Sequence, residues 1–194
     1  MLPWPIRDPL LARRAVAAQA GDAGAMRSLY RELHPEVARF VGRRIRGSAD
    51  AEDLVSRVFF TLVERLADFD PRRGSLRAWV LRIARNAVID HVRARRPHLD
   101  VDALGELLPG DDDPLRDLLA RERLGDLAAR LAGLAPEVRE MLALRHADGL
   151  RLREIAELLG LSEVAVKQRM SRALRALRAE LNPEPAKGAA DVVA

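Results

Sequence analysis

Apolar residues recur every three to four positions along most of the chain, and strand-like alternation is nearly absent. Pro, Gly and the capping residues Asp and Ser divide this pattern into segments. Ahead of residue 150 they predict helices at about 8–19, 22–33, 35–46, 50–67, 75–96, 115–131 and 136–147. The chain is therefore predicted to be all-α.

Residues 151–181, RLREIAELLGLSEVAVKQRMSRALRALRAEL, contain two amphipathic helices joined by a glycine. Gly160 can take the left-handed conformation that ends the first helix, and Ser162 can cap the second. Such a pair, with the small Ala156 where the helices cross, predicts a helix-turn-helix. Its predicted core residues are Leu152, Ile155, Ala156 and Leu159 in the first helix and Val166, Met170, Leu174, Leu177 and Leu181 in the second.

The outward face of the second helix carries side chains that can read DNA base edges. Glu163, Lys167 and Gln168 lie in its first turns, and a helix-turn-helix places this end in the major groove. A basic stripe continues through Arg172, Arg175 and Arg178. A charged helical face can also be simply solvated, but this combination favours DNA binding.

Charge is segregated along the chain, although the net charge is only +4. The predicted helix at 75–96 is strongly basic, whereas residues 99–117 are strongly acidic and contain Pro109, Gly110 and Pro114. This change predicts a linker between two helical domains. The predicted division is an N-terminal domain at 1–97, an acidic linker at 98–113, a C-terminal domain at 114–182 and a disordered tail at 183–194.

Several classes of protein are not expected. The sequence has no Cys, and its four His residues are scattered without ligand spacing, so neither a metal site nor another cofactor is predicted. It lacks nucleophile, zinc-protease and phosphate-loop motifs, which argues against an enzyme. No apolar run has the length of a membrane span, and the N-terminus MLPWPIRDPL lacks the basic-then-apolar pattern of a signal peptide, so neither is expected. A cytoplasmic protein is the simplest expectation.

Most of the chain, from Gly21 to Leu181, resembles the bacterial RNA polymerase sigma factors of the extracytoplasmic-function subgroup. The N-terminal resemblance lies in GDAGAMRSLYRELHPEVARFV, DAEDLVSRVFFTLVERLADFD and SLRAWVLRIARNAVIDHVRARRP. The C-terminal resemblance lies in LAPEVREMLALRHADGLRLREIAELLGLSEVAVKQRM. The resemblance implies two partners, core RNA polymerase and promoter DNA, and leaves open a third, an anti-sigma protein.

The resemblance implies that the helix at 50–67 binds the clamp coiled coil of the polymerase. Its expected contact residues are Asp50, Glu52, Asp53, Ser56 and Arg57, while Leu54, Val55, Phe59, Leu62 and Val63 suit a core. Relatives usually have Gln followed by an acid where this chain has Ser56-Arg57. That departure either weakens polymerase binding, is compensated elsewhere, or is ordinary drift.

The helix at 75–96, with the preceding loop, would recognise and open the promoter minus-ten element. Asn86 can bond a base edge, the arginines can track phosphates, and the loop is where relatives hold an unstacked base. Trp79 can stack on DNA, although a single Trp on an amphipathic helix is more often a core residue. The minus-ten candidates are Arg72, Arg73, Trp79, Arg82, Arg85, Asn86, Asp90, Arg93, Arg95 and Arg96.

The helix-turn-helix would recognise the minus-thirty-five element. In relatives, the position of Val164 is often Gly and that of Ala165 often Thr, so part of the recognition surface differs here. The acidic linker would occupy the RNA channel of the polymerase or would be an ordinary solvated linker. The minus-thirty-five candidates are Ser162, Glu163, Ala165, Lys167, Gln168, Arg169, Arg172 and Arg175.

Two alternatives remain open at this stage. One is a sigma-like decoy that binds an anti-sigma protein but no promoter. The other is a helix-turn-helix regulator that does not bind the polymerase core.

Overall fold

The computed structural model describes residues 4–95 and 130–181, and within them it is helical without any strand. The all-α prediction is therefore confirmed. The N-terminal half consists of four α-helices and a single 3₁₀ turn, Leu66–Asp68, which follows α3. These helices are α1 Trp4–Gln19, α2 Ala23–Gly42, α3 Ser48–Arg65 and α4 Leu76–Arg95. The C-terminal half contains α5 Pro136–His146, α6 Leu152–Leu159 and α7 Glu163–Leu181.

Two predicted helix boundaries near prolines are wrong. The first helix begins at Trp4 rather than near Asp8, so Pro9 lies inside it. Pro35 does not separate two helices, because α2 runs through it from Ala23 to Gly42. A proline inside a helix costs about 3 kcal/mol. In α2 this cost is offset by burial on both sides of Pro35, where Leu29, Leu33, Val37, Phe40 and Val41 form one buried stripe.

The predicted caps at Asp22 and Ser75 act as expected, whereas Asp8, also predicted as a cap, lies inside α1. The Asp22 carboxylate accepts hydrogen bonds from the backbone N–H groups of Gly24 (2.7 Å) and Ala25 (3.0 Å) at the start of α2. The Ser75 hydroxyl accepts one from the N–H of Ala78 (3.0 Å) at the start of α4. Local sequence signals therefore set the start of the helix that carries most of the minus-ten candidates.

The core of the N-terminal half is formed where α1 to α4 pack together. Leu54, Val55, Phe59 and Leu62 of α3 are buried, as predicted. Val63 is not: 58% of it is exposed, and Val58 is fully buried instead. The buried face of α3 therefore differs slightly from the predicted one, since it includes Val58 in place of Val63. Val63 lies at the solvent edge of this face, near the exposed Phe60.

The C-terminal half is the predicted helix-turn-helix preceded by α5. Gly160 adopts the left-handed conformation (φ 68°, ψ 32°) at the end of α6, and the Ser162 hydroxyl accepts a hydrogen bond from the N–H of Ala165 (3.1 Å). Its core contains Ile155, Ala156, Leu158, Val166, Met170 and Leu177, whereas Leu152, Leu159 and Leu174 are only partly buried. The predicted helix–turn–helix geometry is confirmed.

The two halves are packed against each other through α4 and α6. Buried apolar residues from both halves belong to one cluster, which includes Leu81, Ala84, Met141 and Ile155. Of the helix predicted at 115–131, residues 130 and 131 are helical, and the rest lies outside the described residues. The predicted linker at 98–113 and tail at 183–194 lie outside them too.

Replacing Leu62 with Ala tests the observed position of the α3 core. Leu62 is fully buried, so Leu62→Ala should lower the free energy of unfolding by about 2–5 kcal/mol, because it leaves a cavity. Val63→Ala, one residue further on, should change it by less than about 1 kcal/mol. Urea unfolding followed by circular dichroism measures both. Equal losses for the two variants would contradict the observed burial of Leu62 and exposure of Val63.

Candidate nucleic-acid and polymerase interfaces

The outward face of α7 is a continuous polar surface. Glu163, Lys167 and Gln168 are exposed in its first two turns. Arg169, Arg172 and Arg175 extend the same solvent-facing side, while Ala165 is half-buried and Ser162 is exposed at the cap. Val164 is also exposed, at 64%, beside the polar residues. All eight minus-thirty-five candidates therefore lie at the N-terminal end or along the outer side of one helix.

The outer face of α4 carries four of the minus-ten candidates in a row. Arg82, Asn86, Asp90 and Arg93 are exposed, and their spacing of three to four residues places them on one side of the helix. The row thus combines an amide side chain with two arginines and one carboxylate. Arg96 lies outside the described residues.

The loop before α4 forms one wall of a cleft of about 140 Å³. Trp79 is half-buried with its ring against Phe69 (centroids 5.6 Å apart), and it lines the cleft together with Asp70, Arg73 and Arg82. Trp79 therefore fits both the core interpretation and the DNA-stacking interpretation. It packs against Phe69 and also borders the cleft. A stacking side chain next to arginines is suited to an unpaired base.

Asp70 and Arg72 form an ion pair at the rim of this cleft. Two guanidinium nitrogens of Arg72 lie 3.0 Å from the Asp70 carboxylate, and the backbone N–H of Arg72 donates to the same group at 2.9 Å. The side-chain hydrogen bond from Arg72 is the main cause that lowers the pKa of Asp70 below its usual value. Asp70 therefore stays ionised at neutral pH and shapes the loop, while Arg73 remains largely exposed.

The polymerase-contact candidates lie along the outer face of α3. Glu52, Asp53, Ser56 and Arg57 are exposed. Asp50 is half-buried and forms an ion pair with Arg95 of α4 (2.5 and 2.7 Å), a residue predicted to bind DNA. Phe60 and Val63 are exposed apolar side chains that continue this face. The sequence pattern predicts neither of them as a contact residue.

A buried arginine joins the two halves. Arg77 of α4 is only 5% exposed, and its guanidinium contacts Glu36 of α2 in its own half. In the C-terminal half it donates to the carboxylate of Glu154 (3.0 and 3.2 Å) and to the backbone carbonyl of Asp148 (2.9 Å). Glu154 is 3% exposed and also accepts the N–H of Arg151 at the start of α6. A single buried charge is thus satisfied from both halves.

Asp148, in the turn between α5 and α6, forms a second connection. Its carboxylate contacts Arg44 (2.6 Å) and Arg43 (2.9 Å) at the end of α2. Arg44 is further held by the Phe40 carbonyl (2.9 Å) and by the Phe40 ring, 3.7 Å below its guanidinium carbon. These contacts fix the turn before the helix-turn-helix onto the N-terminal half.

Two further carboxylates of the C-terminal half reach the minus-ten candidates. Glu140 of α5 binds Arg85 of α4 through two hydrogen bonds of 2.5 and 2.8 Å. Glu157 of α6 accepts the backbone N–H of Ser75 at 3.1 Å and lines the cleft that holds Trp79 and Arg82. Arg85 was predicted to be available to phosphates, but here it is engaged by the other half.

These contacts between the halves were not predicted from the sequence. Glu36, Arg77 and Glu154 are polar residues at buried positions, and their pattern resembles that of charges on a solvated face. One local signal was present for Glu154, which stands three residues after Arg151 at the position of a capping-box glutamate. That signal identifies a helix start, not a contact with Arg77.

Within residues 4–95 and 130–181 no helix is long and apolar enough to cross a membrane. The same ranges contain no group of three or more His, Cys, Asp or Glu residues arranged to hold a metal ion.

Sequence comparison identifies two family regions in the chain. Residues 29–98 match Sigma-70 region 2, and residues 124–177 match Sigma-70 region 4. The first match contains α3, α4 and the loop before α4, and the second contains α5, α6 and α7 up to Leu177. The α3 and α4 surfaces therefore lie in the first region, and the α7 surface lies in the second.

Relatives that match most of this chain agree with these regions. RNA polymerase sigma factor CnrH of Cupriavidus metallidurans is 30% identical over 93% of this chain and 97% of its own length. ECF RNA polymerase sigma factor SigL of Mycobacterium tuberculosis is 31% identical over 87% and 95%. ECF RNA polymerase sigma factor BldN of Streptomyces coelicolor is 35% identical over 88% of this chain, but the match spans only 65% of BldN.

A solved structure of CnrH in complex with the cytosolic domain of CnrY is similar in fold as well. It has a TM-score of 0.61 and 28% sequence identity, and it covers 91% of this chain and 99% of CnrH. The chain belongs to the extracytoplasmic-function sigma factors of RNA polymerase, and the family resemblance of its sequence is confirmed.

Proposed function

We propose that this sigma factor binds core RNA polymerase through α3, opens the promoter minus-ten element with α4 and its preceding loop, and binds the minus-thirty-five element with α7. It acts by binding and positioning, without making or breaking covalent bonds. In this role it works in the cytoplasm, where the bacterial polymerase meets DNA.

The observation that carries this proposal is the separation of two basic surfaces on two matched regions. The exposed row on α4 combines Asn86 with Arg82 and Arg93, which suits unpaired bases and their phosphates. The exposed N-terminal turns of α7 carry Lys167 and Gln168, which suit base edges in a duplex major groove. A regulator that binds a single duplex site needs only the second surface.

The α3 face supports polymerase binding in spite of its unusual Ser56-Arg57 pair. Glu52 and Asp53 supply exposed negative charge near the start of the helix. Phe60 and Val63 add exposed apolar area two to three turns further along, at 66% and 58% exposure. Burial of such side chains is worth about 1.5–3 kcal/mol each. This apolar area would offset any loss of polymerase affinity caused by the Ser56-Arg57 departure.

A regulatory protein partner is also part of the proposal. CnrH, which matches nearly the full length of this chain, has been solved in complex with the cytosolic domain of CnrY. A partner of the same kind would act here by binding the sigma factor itself. Copurification from cells, with and without the inducing condition, would test for it.

Asn86→Ala tests the assignment of α4. The purified variant should comigrate with core RNA polymerase that lacks other sigma factors, as the unmodified protein should. Its promoter opening, measured by permanganate reactivity of unpaired thymines, should fall about three- to tenfold, because one hydrogen bond contributes about 0.5–1.5 kcal/mol. Loss of the polymerase complex in this variant would show that α4, not α3 alone, binds the polymerase. No complex even for the unmodified protein would overturn the proposed function.

Lys167→Ala tests the assignment of α7. Binding of the holoenzyme to a duplex promoter should weaken by about 1–3 kcal/mol, and the loss should depend on the minus-thirty-five sequence. Arg178→Ala removes the same charge from an exposed position three turns further along α7 and is the matched control. Fluorescence anisotropy with duplexes that differ only in the upstream element measures both. An equal, sequence-independent loss in the two variants would contradict base recognition by Lys167.

A further inference from the structure

The last residue of α1 reaches the turn that leads into the loop before α4. The side-chain amide nitrogen of Gln19 donates hydrogen bonds to the backbone carbonyls of Leu66 and Phe69, both at 2.8 Å. Because both partners are acceptors, only the NH₂ group of the glutamine amide, with its two hydrogens, can face them. A single side chain thus ties α1 to the segment between α3 and α4.

Gln19 completes a small hydrogen-bond network at this turn. The carbonyl of Leu66 also accepts the backbone N–H of Phe69 at 3.1 Å, so both of its lone pairs are used. Phe69 itself is only 5% exposed, and its ring lies against Trp79. The backbone of Phe69 is therefore held by Gln19, while its side chain is held by the indole.

This turn is one of two points that fix the loop before α4. Phe69, Asp70 and Trp79 all line the cleft of about 140 Å³. At the other end of the loop, the Ser75 hydroxyl accepts the N–H of Ala78 at 3.0 Å. A loop that is fixed at both ends loses little further conformational freedom when it binds a ligand. Gln19 therefore prepares the start of the loop for binding, as the Ser75 cap prepares its end.

Gln19 does not have the environment of a core residue. It is exposed in the described structure, so its replacement leaves no cavity in the apolar core. It also precedes the first matched family region, which starts at residue 29. An exposed side chain that directs both of its donors at one turn acts on the position of that turn more than on the stability of the whole domain.

We propose that Gln19 is a positioning residue for promoter opening. By fixing the carbonyls of Leu66 and Phe69 it sets the shape of the cleft that takes an unpaired minus-ten base, and with it the preference among bases. Gln19 touches no DNA and acts through Phe69 and Trp79. This inference rests on the proposed function of α4 and its preceding loop.

The direct test measures base preference rather than activity alone. The holoenzyme transcribes a pool of barcoded templates with randomised minus-ten and minus-thirty-five bases. Sequencing of the barcodes gives the ratio of the most to the least preferred base at each position. Gln19→Glu replaces the donor with a carboxylate of the same size, which the two carbonyl oxygens repel. It should lower this ratio about threefold at a minus-ten position, the effect of one net hydrogen bond, and leave the minus-thirty-five ratios unchanged.

Two further variants separate the lost donor from an added charge. Gln19→Met is similar in length but has neither donor nor charge, so it should lower the same ratio. Ala20→Glu places a carboxylate at the neighbouring exposed position and should leave every ratio unchanged. A lower transcript yield with unchanged ratios in both Gln19 variants would show a merely structural role and overturn the inference. An equal change in Ala20→Glu would overturn it as well.

The same pool distinguishes this inference from the proposed function. If the unmodified holoenzyme shows a minus-ten preference that the Gln19 variants retain, the proposed function stands and the role of Gln19 does not. If the unmodified holoenzyme shows no minus-ten preference at all, the proposed function of α4 fails, and the inference that rests on it fails too.

A second measurement uses the unmodified protein and does not depend on the folding of any variant. The chain has two glutamines, and Gln168 is exposed on α7. The side-chain amide protons of Gln19 should exchange with water about tenfold more slowly than those of Gln168 in NMR spectra, because both are hydrogen-bonded. Equal exchange rates would show that the two contacts are absent in solution, and the inference would fail.

Discussion

The Arg77 guanidinium is the charge on which the arrangement of the two halves depends. It lies almost fully buried in α4, where an unpaired charge would cost several kcal/mol. Its own half supplies Glu36, and the C-terminal half supplies the Glu154 carboxylate and the Asp148 carbonyl. Full compensation of this charge therefore requires both halves. The contact has a defined register because one guanidinium must satisfy three acceptors on separate elements.

Such a contact can also be released. A buried ion pair contributes little net stability, because the attraction between the charges is largely offset by the loss of their hydration. When the halves separate, Arg77 and Glu154 recover that hydration, so the ion pair adds little to the cost of separating the apolar cluster that spans both halves. The same logic applies to Asp148 with Arg44, and to the more exposed pair Arg85–Glu140.

Much of this molecule follows from local sequence. Gly160, Ser162 and the apolar spacing around them predict the helix-turn-helix, because a glycine turn and a cap are local features. The helix α2 continues through Pro35, against the local sequence signal, because burial of its apolar side chains outweighs the low helix propensity of proline. The apolar spacing of α3 is compatible with either Val58 or Val63 in the core, so the sequence alone predicts Val63 wrongly. Packing of the folded chain decides between the two. The contact of Arg77 with Glu154 joins residues 77 positions apart, so no local pattern contains it.

The central claim is that the buried Arg77 contact holds the two halves in one arrangement in the free protein. Since the chain has no Cys, the double variant Ala20→Cys/Ala179→Cys takes spin labels only at two exposed positions, one after α1 and one near the end of α7. Electron–electron distance measurements on it should give one narrow distance distribution for the free protein. Adding Glu154→Gln, which removes the negative charge that Arg77 binds, should broaden this distribution, and an equally narrow distribution would contradict the account.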